Sequence, residues 1–321
     1  MMACPSLILS DAVTDLILVV LPVFLVVGFG YVAAWRDLFA EAYVDGLMKF
    51  TQNFAIPCLL FNAIASIDLR AGFDLKMLFS YFGIATVTFY TGMFGARLLF
   101  GRAWPDSVAI GFLCLFANAV LLGLPVTERA YGAAALANNF AIIAFHAPFC
   151  YGLGIVTMEI VRAEEKSAIS LTKAVLNAVF HNALILGIAL GFAVNFLQVP
   201  IPEPVQSAVD LMVRSALPAA LFGLGGVLYR YRPKGDMMTI AFVLAIVLLI
   251  RPAMNYVAGI GLAIDTPELR AMVLTGAMAP GVNGYMFANI YGVAKRVAAS
   301  TVLVGTAMSV VSLPMWLYLL P

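Results

Sequence analysis

The chain has 321 residues, of which 63% are apolar and only 11% charged, with a formal net charge of +1 and a mean hydropathy of +1.01. A soluble chain is about 45–50% apolar and about 25% charged, so this inventory cannot clothe a water-exposed surface and places the chain in a bilayer. At about 20 apolar residues per membrane helix, ten spans and their loops use nearly the whole length, which leaves no room in these residues for a soluble catalytic domain; the near-neutral charge gives no reason to expect a nucleic-acid partner.

Apolar runs between charged or Pro-rich breaks predict ten spans, at about residues 13–35, 42–66, 75–100, 106–128, 133–160, 172–197, 205–229, 237–263, 268–292 and 295–320. Asp11 and Asp15 precede the first run and no basic residue appears before Arg36, so this run reads as a retained span and not as a signal peptide. Cys58, Cys114 and Cys150 lie inside apolar runs and Cys4 near the start; their spacing fits neither a disulfide nor a zinc site, and no metal or cofactor is expected.

Basic residues set the orientation. With the amino terminus outside, the inner flanks carry eleven: Arg36, Arg97, Arg102, Arg162, Lys166, Lys173, Arg230, Arg232, Lys234, Lys295 and Arg296. The outer flanks carry four, Arg70, Lys76, Arg129 and Arg270, so the positive-inside rule predicts both termini outside the cytoplasmic membrane.

An inverted repeat is predicted from two matches at nearly one offset. AIPCLLF (Ala55 to Phe61) in span 2 resembles ALPAALF (Ala216 to Phe222) in span 7, and span 4 ends in Tyr131-Gly132 as span 9 ends in Tyr291-Gly292. Corresponding spans of two five-span halves, residues 1–161 and 171–321 joined by a cytoplasmic connection at 162–170, give an all-α integral membrane protein of ten transmembrane helices in two inverted five-helix repeats.

Spans 4 and 9 carry the strongest chemical signal. Each combines a Pro (Pro125, Pro280), nearby Gly (Gly123; Gly281 and Gly284) and a mid-span Asn (Asn118, Asn283). Pro removes a backbone donor and Gly lets the chain leave helical geometry, so two broken helices are predicted. A broken helix in hydrocarbon is tolerated where it is buried in protein or lines a cavity, and its half-helix N-terminus attracts an anion. Two such helices crossing near the midplane would build a substrate site from Asn118, Asn283, Gly123, Gly281 and Gly284, with Pro125 and Pro280 maintaining the breaks. Pro57 and Pro218 read as kinks in scaffold spans 2 and 7.

Ionisable groups inside the membrane are costly and usually face a partner or a cavity. Arg251, central in span 8 beside Pro252, is the candidate counter-charge to an anionic substrate. His146, central in span 5, is the candidate proton carrier; His181, next to Asn182, is a second titratable group. Asp210 and Arg214, at i and i+4, predict a local salt bridge. The chain contains no G-x-x-x-x-G-K-[ST] loop for ATP, no H-E-x-x-H and no grouped nucleophile and base, so an enzyme or a primary pump is not expected.

NFAIPCLLFNAIA in span 2, FANAVLLGLPVTERAYG in span 4, PGVNGYMFANIYGVAKRVAAS from span 9 into span 10 and the closing SVVSLPMWLYLL together resemble the auxin efflux carrier family, which includes plant auxin exporters and bacterial malonate-type transporters. The resemblance implies that spans 1, 2, 6 and 7 form a scaffold and spans 3–5 and 8–10 a transport domain with helices 4 and 9 crossing at their breaks. It further implies elevator-type alternating access, a small organic anion such as a mono- or dicarboxylate as cargo, and a homodimer through the scaffold helices. The short connection at 162–170 resembles the bacterial members more than the plant exporters. Export of an anion can run on the membrane potential alone, whereas uptake needs a co-ion, for which a proton is the candidate. The rival readings are a sodium-coupled organic-anion symporter of the bile-acid type, whose crossing would gather acidic or amide ligands, and a membrane sensor or embedded enzyme.

Overall fold

The computed structural model describes residues 5–66, 74–162, 183–231 and 236–321. The predicted connection from 163 onward, the start of span 6 with His181 and Asn182, and Arg70, Arg232 and Lys234 lie outside the described residues. Among the described residues there is no strand, only helices, helical turns and one isolated backbone bridge.

The elements, in chain order, are α1 (Pro5–Trp35), α2 (Glu41–Phe50), a π-turn (Thr51–Ala55), α3 (Ile56–Ser66), α4 (Leu75–Phe100), α5 (Trp104–Leu115), a second π-turn (Ala119–Gly123), α6 (Leu124–Tyr131), a 3-10 turn (Ala133–Ala135) and α7 (Leu136–Arg162). After them come α8 (Ala183–Leu197), α9 (Glu203–Arg230), α10 (Met237–Ala245), a third π-turn (Ile246–Ile250), α11 (Arg251–Gly261), α12 (Thr266–Ala277), α13 (Val282–Tyr291) and α14 (Lys295–Leu319). Among the described residues five helical stretches are long and apolar enough to cross a membrane: Leu75–Phe100, Ala133–Arg162, Glu203–Arg230, Met237–Gly261 and Lys295–Leu319. Val20–Trp35, Trp104–Leu115 and Leu186–Leu197 are shorter apolar helices. The protein is an all-α, multi-pass membrane protein.

Each π-turn stands just ahead of a proline. The turns end at Ala55, Gly123 and Ile250, and Pro57, Pro125 and Pro252 follow two residues later. Pro lacks the N–H that would bond the carbonyl four residues back, and its ring clashes with that carbonyl; widening the preceding turn relieves the clash. Before Pro252 the carbonyl so released is that of Leu248, and the Trp316 indole donates to it at 2.8 Å. Pro22, Pro148, Pro218 and Pro314 instead sit inside continuous α-helices.

Two aspartates start helices in the same way. Asp74 Oδ1 accepts from the backbone N–H of Lys76 and Met77 at the head of α4, and Asp236 Oδ1 from those of Met238 and Thr239 at the head of α10, each satisfying donors that a helix N-terminus otherwise leaves free. Asp236 also receives Arg102 at 2.9 Å and the Thr239 hydroxyl at 2.8 Å.

Packing divides the helices into neighbourhoods. α1 lies along α9, with α2 and α3 against α9 and α3 against α8; α4 packs on α5 and α11, α5 on α7, and α11 on α12. The α1–α9 contact is close enough that a Cβ on Gly30 would run into the Phe222 carbonyl and one on Gly225 into that of Val27, so glycine is required for the backbones to approach. The predicted Asp210–Arg214 bridge is not what forms: Asp210 accepts from Gln206 at 2.9 Å, and Arg214 is exposed.

Candidate functional site

α5 ends at Phe116, where ψ opens to 99°, and helical geometry resumes after Asn118. α12 ends at Met278, with ψ 138°, and α13 begins after Gly281, with ψ 166°. The two extended strips run antiparallel and bridge at Ala117 and Pro280. The Asn118 N–H donates to the Ala279 carbonyl at 2.9 Å and the Gly281 N–H to the Phe116 carbonyl at 3.2 Å. An unpaired backbone group in hydrocarbon costs several kcal/mol, so each break supplies what the other lacks. In this register the pair formed by residues 117 and 280 exchanges no bond of its own, which is why proline, without a donor, fits at 280.

Side chains fasten the crossing. Phe112 of α5 stacks on Phe287 of α13 with ring centroids 4.0 Å apart and planes 7° from parallel, and a Cβ on Gly284 would collide with the Leu113 side chain. Arg251, only 1% exposed, donates from Nε to the Gly276 carbonyl at 2.6 Å, from Nη1 to those of Cys114 and Leu115 at 3.1 and 3.4 Å, and from Nη2 to that of Met278 at 2.8 Å. These are the orphan carbonyls at the C-terminal ends of α5 and α12.

A cavity of about 360 Å³ opens against the bridge, a size within the range of small-molecule sites. The first break contributes Phe116 to Leu121 to its wall, the second Gly281, Val282 and Asn283, and α7 His146 and Tyr151; Gln52, Asn53 and Ile56 come from span 2 and Leu184 and Ile188 from α8. The Tyr151 hydroxyl donates to Asn283 Oδ1 at 3.2 Å, which leaves the amide N–H groups of Asn283 for another acceptor. Asn118 is 5% exposed, and its side-chain Nδ2 has no hydrogen-bond partner. His146 packs edge-on against Phe116, 4.8 Å between ring centroids, and the Cys150 sulfur lies 3.8 Å from its Nδ1.

Asn118, Gly281, Asn283 and His146 therefore meet on one wall. Gly123 and Gly284 do not line the cavity; Gly284 serves the α5–α13 contact and Gly123 lies under the Asn118 carbonyl, to which its N–H donates. Arg251 stands behind the bridge and off the wall, with its donors on carbonyls. Pro280 sits within its break, whereas Pro125 follows the π-turn, seven residues beyond Asn118. Gln52, Asn53 and Tyr151 went unrecognised in the sequence. Span 2 was expected to hold only a kink, yet its π-turn reaches the cavity; two adjacent amides in an apolar run ahead of Pro57 were the available signal. Tyr151 carried none.

Two turns before His146 on α7, Asn139 donates to Thr275 at 3.0 Å and Thr127 at 3.4 Å, all three side chains buried. The paired Tyr-Gly motifs end both second half-helices, in two different conformations: ψ is 169° at Gly132 and 13° at Gly292. Gly132 and Gly292 take φ of 83° and 75°, a region open to glycine at little cost, and Arg270 covers the ring of Tyr131 at 4.3 Å as Arg162 covers that of Tyr291 at 4.9 Å.

Interrupted helices that pair across the middle of an all-α membrane fold, beside a mainly apolar cavity that several amides reach, are the marks of a transporter. The family model described as "Membrane transport protein" matches residues 15–317, and the chain belongs to that family, the auxin efflux carrier family that its motifs resemble. Similar proteins include the "Putative malonate transporter" of Rhizobium meliloti (strain 1021), 24% identical over 306 residues covering 94% of each chain. Another is the "Uncharacterized transporter YfdV" of Escherichia coli (strain K12), 21% identical over 301 residues covering 93% of this chain and 95% of that one.

Proposed function

We propose that the protein is a secondary transporter that carries a small organic anion, a malonate-like mono- or dicarboxylate, across the cytoplasmic membrane. The observation that carries this reading is the donor-rich wall at the bridge: the unpartnered Asn118 Nδ2, the free amide N–H groups of Asn283 and the N-terminus of α13 at Gly281 to Asn283 converge on one cavity. A carboxylate accepts from such donors and is drawn by the positive pole of the half-helix. The name of the Rhizobium relative points to the same cargo class.

The chain would cross the membrane ten times as two inverted five-helix halves, with both termini outside. The matched helix-starting aspartates, Asp74 and Asp236, and the arginine-covered tyrosines, Tyr131 and Tyr291, support that symmetry. Spans 1, 2, 6 and 7 would be the scaffold and the remainder the moving unit, in line with the packing of α1, α2, α3 and α8 about α9 and α3 and of α4 about α5 and α11. Under the positive-inside orientation the cavity lies on the inner side, because its wall runs on to Ile290 near the end of α13. An elevator movement would then expose the bridge outward. His146, the titratable side chain on the wall, is where a co-transported proton would ride.

Radiolabelled malonate flux into proteoliposomes tests the reading. Purified wild-type protein carries malonate without sodium, Pro280→Ala and Asn283→Ala reduce the flux at least about tenfold, and His146→Gln removes its dependence on pH. Absence of malonate flux in the wild type, or unchanged flux in both crossing variants, overturns it.

A further inference from the structure

We propose that Arg251 sets the anion preference of the cavity from behind the crossing, by cancelling the negative ends of α5 and α12 so that the positive ends facing the cavity act unopposed. This rests on the carboxylate reading of the cavity.

A broken helix is two dipoles end to end. The C-terminal pole of the first half-helix lies beside the N-terminal pole of the second, each worth about half a charge, and left alone they nearly cancel. At this crossing the C-terminal poles are the carbonyls of Cys114 and Leu115 on one side and of Gly276 and Met278 on the other, all within four residues of Asn118 or about that distance from Gly281. Two such poles amount to about one negative charge, which a single guanidinium balances. The uncancelled N-terminal poles, at the π-turn after Asn118 and at Gly281 to Asn283, are the ones that line the cavity.

The guanidinium suits this task in shape as well as charge. It is planar and offers five donors in a fixed fork, of which the crossing engages Nε, both hydrogens of Nη1 and one of Nη2. One side chain from α11 thus ties together the ends of two helices whose connection through the chain is more than a hundred residues long. It stands directly behind the wall, since the Leu115 carbonyl it holds immediately precedes Phe116, the first wall residue of the break. Arg251 makes no contact with the cavity and is a positioning residue.

The experiment compares binding of malonate with that of its half-amide, malonamate, which has nearly the same shape and one charge fewer, by calorimetry on the purified full-length chain. In the wild type malonate binds more tightly. In Arg251→Gln the ratio of the two dissociation constants falls about tenfold, whereas loss of packing alone would weaken both ligands equally and leave the ratio as it was. Arg251→Lys keeps the charge but cannot reach four carbonyls, so it retains the preference and melts at a lower temperature. An unchanged ratio in folded Arg251→Gln overturns the proposal; should that variant not fold, loss of the preference in folded, charged Arg251→Lys does so. A wild type that binds neither compound instead overturns the carboxylate reading itself.

Discussion

Asn118→Ala is expected to move affinity and stability in opposite directions. The backbone of residue 118 makes the structural bonds: its N–H donates to Ala279, and its carbonyl accepts from Leu122 and Gly123. Alanine keeps all three. What the substitution removes is a buried amide nitrogen that has no partner, and a buried unpaired donor costs about 1–3 kcal/mol. Deleting it should leave the ligand-free protein as stable as the wild type or more so. A carboxylate in the cavity would supply the missing acceptor, and a hydrogen bond to a charged group is worth about 1.5–3 kcal/mol, so its loss weakens binding by about 10- to 150-fold. Thermal melting with and without malonate, beside calorimetric titration, reads both quantities on one preparation. A dissociation constant within a factor of about three of the wild type, or a large fall in melting temperature with unchanged affinity, would refute the reasoning by showing that Asn118 serves the fold and not the ligand. Asn118→Asp, similar in shape but negatively charged, should abolish malonate binding.

Other perturbations test the frame around the site. Gly225→Leu drives a side chain into the Val27 carbonyl and should cost about 1–3 kcal/mol, read as a lower melting temperature in detergent. Trp316→Phe removes the donor from the Leu248 carbonyl that Pro252 leaves bare and should cost about 1–2 kcal/mol; a melting temperature equal to wild type would show that another donor takes its place. At the membrane edge, hydrogen bonds from Thr239 first, then from the Met238 backbone and Arg102, hold the Asp236 carboxyl below its ordinary 3.8, with desolvation opposing them. A depressed carboxylate pKa stabilises the fold above the unfolded value and loses that contribution as pH falls through the folded one. Asp236→Asn should therefore melt below the wild type at neutral pH, with the gap closing as pH drops under 3.8.

The two helix breaks were legible in the sequence because Pro, Gly and Asn are each poor residues for an unbroken apolar helix, and finding them at matching places in two spans left little else to explain. Their register was not. Pro125 drew attention to span 4, yet the chain leaves helical geometry at Phe116, since the break is set by where span 9 offers Ala279 and Gly281 as bonding partners. Arg251 was conspicuous as a charge in hydrocarbon, but the sequence carries no sign of the helix ends it would cap, because those carbonyls belong to segments far away along the chain. Gln52 and Asn53 were hidden by Pro57: a proline reads as a kink, and only the widened turn before it presents the amides to the cavity.

The bridge between the two breaks also bears on how the protein is made. When α5 and the segment after it enter the bilayer, Phe116 and Asn118 hold backbone groups whose partners, Gly281 and Ala279, are still unsynthesised, and the carbonyls at the end of α5 await a guanidinium more than 130 residues downstream. The first break is thus inserted with an open polar seam that lipid cannot satisfy. Each break is a chaperone for the other's unfinished helix, and neither should persist in the membrane without its complement.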